Sequence, residues 1–146
     1  MEAATLRLDP ITLKMTIRKG DEGSAPLRLT IDANDCYFWF AVKENIQQPD
    51  SEAPIFQTYY HEDGELFVIS ISEEESDRLS AGDCSSNCPC NNHYKDYIWA
   101  LKYARCIRDE NGTFLGTEKA KTLIPALAKR PPIFRVYPEI IEGPNL

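Results

Sequence analysis

Most of this chain is built from short stretches in which apolar and polar residues alternate. In LRLTID, Leu27, Leu29 and Ile31 fall on one side of an extended backbone, and Arg28, Thr30 and Asp32 fall on the other. That period of two is the mark of a half-buried strand. CYFWFAVKE, residues 36–44, sets Cys36, Phe38, Phe40 and Val42 against Tyr37, Trp39 and Ala41. It is apolar on both sides and therefore reads as a central strand. ELFVISIS places Leu66, Val68 and Ser70 opposite Phe67, Ile69 and Ile71, while YIWALKYARCI aligns Tyr97, Trp99, Leu101 and Tyr103. In the latter, aromatic content and alternation outweigh a length that would suit a helix. TLKMTIRK and PIFRVYPEII complete the series, with Phe134 and Val136 alternating against Arg135.

The punctuation fits strands. Asp21-Glu22-Gly23 separates the first two of them, and Glu62-Asp63-Gly64 and Glu110-Asn111-Gly112 read as hairpin turns, because Asp-Gly and Asn-Gly accept positive φ. Ser72-Glu73-Glu74-Glu75 predicts one short helix opened by a capping box, with Ser80-Ala81-Gly82 as its stop. The fold class expected is all-β, an antiparallel immunoglobulin-like β-sandwich of about seven or eight strands with one short helical crossover. Residues 1–10 read as an N-terminal segment, 11–141 as one sandwich domain and 142–146 as a tail. Either terminal segment would serve to dock on an adjacent subunit.

The order of these signals resembles the β-sandwich domains of tailed-phage virion proteins, notably the N-terminal domain of the baseplate upper protein family. The resemblance rests on Lys19-Gly20-Asp21 after the first strand, and on Val42-Lys43 at the end of the central one. It continues with the serine-capped turn from Ser72 to Gly82, the tyrosine-rich strand from Tyr94, the strand led by Thr122, and Phe134 to Glu139. It implies a non-enzymatic structural or adaptor component of a bacteriophage virion. Such a protein acts through contacts with other virion proteins and with copies of itself, and is assembled in the host bacterial cytoplasm. In the family the glycine meets the tyrosine strand almost directly, whereas here Asp83 to His93 intervenes.

Composition narrows the function classes. A net charge of −7 argues against nucleic acid as a partner. No apolar run approaches the roughly 18 residues of a membrane span, and MEAATLRLDP lacks the basic-then-apolar order of a secretory signal. A reducing compartment is therefore expected, and the five cysteines cannot all pair within one chain.

His61 and His93 stand far apart, and no Gly-x-Ser-x-Gly, phosphate-binding glycine loop or His-Glu-x-x-His occurs. The expectation is that the protein is not an enzyme. Lys19-Gly20-Asp21 has the form of an adhesion tripeptide but reads as a turn. Tyr37, Trp39, Tyr59, Tyr60, Tyr97, Trp99 and Tyr103 suit a sandwich core or subunit interface, or alternatively a carbohydrate- or receptor-binding platform.

The densest candidate chemistry is the insertion at residues 83–93, DCSSNCPCNNH. Cys84, Cys88, Cys90 and His93 make a Cys3His donor set of the kind structural zinc accepts, though their spacing matches no standard finger. Three readings stand: a small zinc-binding protein centred on this loop, a local disulfide with one free thiol, or an inert loop. Cys36 and Cys106 are expected to be buried as small apolar residues.

Overall fold

The computed structural model describes residues 6–81, 94–124 and 131–138. In chain order its elements are β1 (Arg7–Leu8), β2 (Met15–Arg18), β3 (Gly23–Arg28), β4 (Cys36–Lys43), β5 (Ile55–His61), β6 (Leu66–Ile71), α1 (Glu73–Arg78), β7 (Lys95–Arg108), β8 (Phe114–Thr117), β9 (Lys121–Ile124) and β10 (Ile133–Tyr137). The fold is all-β with one short helix, as the alternation predicts.

β7 organises the larger sheet, which runs β1-β2-β10-β7-β4-β5. One edge of β7 pairs with β4 from Ile98 to Arg105. Its other edge is shared in succession by β10 at Lys95–Ile98, β9 at Leu101–Tyr103 and β8 at Cys106–Arg108. The register shifts at the β8 and β9 pairings, which lets one 14-residue strand serve several short partners. The second sheet is β3 paired with β6. It faces the first across the core, where the rings of Phe38 and Phe67 stack at 4.6 Å.

The core follows the alternation. Phe38, Phe40, Val42, Trp99, Leu101, Phe134 and Val136 point inward from the large sheet and are fully buried. Phe67, Ile69 and Ile71 meet them from β6. Each such side chain contributes about 1.5–3 kcal/mol. The Trp99 indole N–H is satisfied by donating to the Leu13 carbonyl at 2.8 Å.

The helix forms as predicted. The Ser72 hydroxyl accepts from the Glu75 N–H at 3.1 Å, and the Glu75 carboxylate accepts from the Ser72 N–H at 3.0 Å. It ends at Leu79, which is already extended, before the glycine named as a stop.

Four features depart from expectation. The described residues hold ten strands rather than seven or eight, because β1, β5 and β8 carry no clean apolar alternation. The large sheet is mixed rather than antiparallel throughout, since β10 runs parallel to β2. Glu62-Asp63-Gly64 is not a hairpin: β5 pairs with β4 while β6 pairs with β3, so this turn carries the chain between sheets. The second strand ladder spans Gly23–Arg28 rather than 27–32, although burial still alternates through Leu29. The N-terminal segment also contributes to its own sheet, through the buried Leu6 and through β1.

Candidate functional site

The outward face of the large sheet holds the most unusual grouping of side chains among the described residues. Its floor is small: Ala41 lies opposite Ala100, and Ala104 opposite Tyr37. Above that floor stand Tyr37, Trp39, Phe56, Tyr60 and Phe114. Tyr37 contacts Tyr60 at 5.4 Å and Phe114 at 5.7 Å between ring centroids. Phe56, Tyr60 and Phe114 are 42%, 47% and 46% exposed, so considerable aromatic area faces solvent.

Cations are interleaved with these rings. Among outward positions of the strands, Arg7, Arg18, Lys43, Lys102, Arg108 and Arg135 are cationic, and Asp96 is the anion. Arg108 grips Asp35 with two bonds of 2.9 Å, and Tyr60 donates to the same carboxylate at 2.6 Å. The Arg108 guanidinium, and then the Tyr60 hydroxyl, hold the Asp35 carboxyl far below the usual carboxylate range. The same bond to Asp35, more than burial, pushes the Tyr60 hydroxyl up. At the other end Arg135 clasps Asp96 at 2.7 and 2.9 Å while its guanidinium lies 3.7 Å from the centre of the Tyr94 ring. Arg18 sits over Tyr137 and Arg108 over Phe114 at longer range. These contacts restrain long side chains beside the rings, which lowers the entropy lost when a partner docks.

The aromatic residues singled out in sequence do not form one platform. Tyr37, Trp39 and Tyr60 belong to this outer face. Tyr97 and Trp99 are buried in the core, and Tyr59 and Tyr103 are half-buried against it. Phe56, Phe114, Tyr94 and Tyr137 were missed, and so were the arginines. Arg108 is flanked by Ile107 and Asp109 and meets Phe114 only through the strand pairing, and Arg135 follows a phenylalanine that points to the core, so no local sequence signal marks either as part of this face.

The remaining candidates are structural. His61 is buried, with Nδ1 3.0 Å from the Ala33 carbonyl and Nε2 3.2 Å from that of Leu66. The ring lies between the segments on either side of the small sheet. Gln57 donates to Glu75 and to the Ser70 carbonyl, and Tyr59 donates to Gln57 and Ser70. This network anchors the edge strand β5 to β6 and α1, and burial pushes the Tyr59 hydroxyl up. Lys19 donates to the carbonyls of Asp77 and Leu79 at the end of α1, and Gly20 has φ of 85°. The Lys19-Gly20-Asp21 segment is therefore a turn with its lysine held down. A groove of about 890 Å³ lies between residues 6–13 and the outer edge of β3, lined by Leu6, Leu8, Ile11 and Pro26 among others. Among the described residues its lining carries no histidine, cysteine or carboxylate.

Cys36 and Cys106 are free and buried, as expected. Burial pushes both thiols up, which keeps them protonated and poor nucleophiles. Cys84, Cys88, Cys90 and His93 lie outside the described residues. Among the described residues no group of three His, Cys, Asp or Glu side chains converges as metal ligands would. No described helix is long and apolar enough to cross a membrane. No family model, no curated protein and no solved structure matches this chain.

Proposed function

We propose that this protein is a non-enzymatic structural or adaptor component of a bacteriophage virion that works through protein–protein contacts. The observation that carries the interaction role is the outer face of the large sheet, where exposed aromatics stand on an alanine floor among cations. Aromatic residues and arginine are the types enriched where protein interfaces bind tightly. The ordering of β10-β7-β4-β5 against β3-β6 supports the immunoglobulin-like reading, since variable-type domains place their last strands and central pair in one sheet in that way. The assignment to a virion rests on the resemblance of the strand and turn signals.

Mass spectrometry of purified phage particles tests the assignment. The chain is expected at a fixed copy number per particle, and its absence from particles carrying their full set of tail proteins overturns the proposal. A carbohydrate-binding role would use the same exposed rings by stacking. Glycan-array binding that is lost on Tyr60→Ala, in a chain that joins no protein assembly, would replace the present reading with that one.

A further inference from the structure

The two outward faces of the sandwich are opposite in charge. The large sheet presents six outward cations around exposed rings; Lys43, Arg108 and Arg135 are paired with Asp50, Asp35 and Asp96, which leaves Arg7, Arg18 and Lys102 as its excess positive charge. The small sheet presents Leu66 and Val68, 55% and 48% exposed, with Pro26 beside Val68 in the pairing. Acids border this apolar centre at both ends of β6, with Arg28, opposite Leu66, and Arg78 among them, paired with Glu65 and Glu74 at 3.4 and 3.5 Å. Glu62, Asp63 and Glu65 precede it, and Glu73 and Glu74 follow it at the start of α1, all exposed. Each face is thus an apolar patch within a rim of mixed charge, and beyond these ion pairs the excess is positive on one face (Arg7, Arg18, Lys102) and negative on the other (Glu62, Asp63, Glu73).

We propose that the partner of the large-sheet face is a second copy of this chain, bound through its small-sheet face. The contact is head-to-tail. The rims decide the geometry. Two large-sheet faces brought together would oppose their excess cations, and two small-sheet faces would oppose their excess carboxylates. The mixed contact matches apolar centre to apolar centre and excess cation to excess anion. A heterologous contact of this kind leaves one free face at each end, so it builds rings if the rotation closes and open stacks if it does not. A simple polyanion would also be drawn to the cationic face, but it would leave the acid-rimmed Leu66–Val68 patch unexplained. The inference rests on the protein–protein reading above.

Lys102 and Val68 are exposed and lie on opposite faces, so Lys102→Glu and Val68→Lys each spoil one face. Sedimentation velocity over a concentration series reads the outcome. The wild type is expected to form species beyond a dimer, and each variant alone is expected to lose association by roughly tenfold or more. An equimolar mixture of the two should give a 1:1 dimer and nothing larger, because one good face survives on each. Val68→Lys that still dimerises alone shows a two-fold contact through the large sheet and overturns the inference. So does a mixture that stays monomeric, or a wild type that is monomeric throughout. Arg18→Glu and Glu74→Lys repeat the test at independent positions if either first variant loses its wild-type circular dichroism. A monomeric wild type that is nevertheless found in particles would remove head-to-tail contact and leave the adaptor reading standing.

Discussion

The two faces of β4 and β7 are made of similar residues and do different work. Inward, Phe38, Phe40, Trp99 and Leu101 are wholly removed from water. Outward, Tyr37 and Trp39 keep part of their surface in solvent, and neighbours on β5 and β8 keep more. Hydrophobicity alone does not separate them. What separates them is that the inner face meets β3 and β6, whereas no described element covers the outer one. Polar capability follows the same division: the outer aromatics are tied to ion pairs, while the one polar atom of the inner Trp99 ring is used up on a backbone carbonyl.

The largest effect that would break this contrast comes from truncating one residue on each face. Trp99→Ala should cost about 3–5 kcal/mol, combining lost burial with a cavity the sandwich cannot collapse. Phe56→Ala, on the outer face, should change stability by no more than about 0.5 kcal/mol. Urea denaturation measures both. A comparable loss at Phe56 would mean that the outer face belongs to the core. An intermediate effect is expected at His61, an inner-face residue whose role is polar. His61→Ala removes the ring, with its hydrogen bond, from between the Ala33 and Leu66 carbonyls and should cost about 1–3 kcal/mol, read from the same curves. A neutral result there would show that water replaces the imidazole, and that the inner face is less dry than its burial implies.

These residues also show what was legible in the sequence. β4, β6, β7 and β10 were visible because their inward positions are apolar and their burial is decided by period two. The capping box at Ser72 and the Asn111-Gly112 turn were visible because their chemistry is local. β5 was not. Its inward positions are Ile55, Gln57, Tyr59 and His61 and its outward ones Phe56, Thr58 and Tyr60, so the pattern carries no clear polarity. Gln57 and His61 are tolerated inside because other elements supply their hydrogen bonds, and no window of sequence contains that information. The parallel β2–β10 pair joins residues about 120 positions apart and follows from packing rather than pattern. The outer face was half legible: its aromatics could be counted, but which of them point outward depends on the sheet, and its cations were obscured by a net charge of −7.

The smallest expected effect sharpens the outer face through pH. Asp35 has φ of 54°, and its carboxylate is held by Arg108 and Tyr60. Those bonds place its folded-state pKa well below the roughly 3.9 of an unfolded aspartate. Above about pH 4 the carboxylate is ionised in both states, and its stabilisation is fully present. As pH falls below that value, the unfolded chain takes up a proton that the folded one refuses. The contribution therefore declines, and it is lost as pH passes through the folded value. The site is exposed, so solvent screens the pair and the effect is modest. Asp35→Asn should lower the melting temperature slightly at neutral pH, and the difference from wild type should shrink as the medium is acidified. Adding salt should shrink it as well. A difference that stays constant down to pH 2 would mean that Asp35 acts through its backbone conformation, with asparagine and aspartate unequal in the left-handed region, and that the ion pair on the outer face orders Arg108 without stabilising the fold.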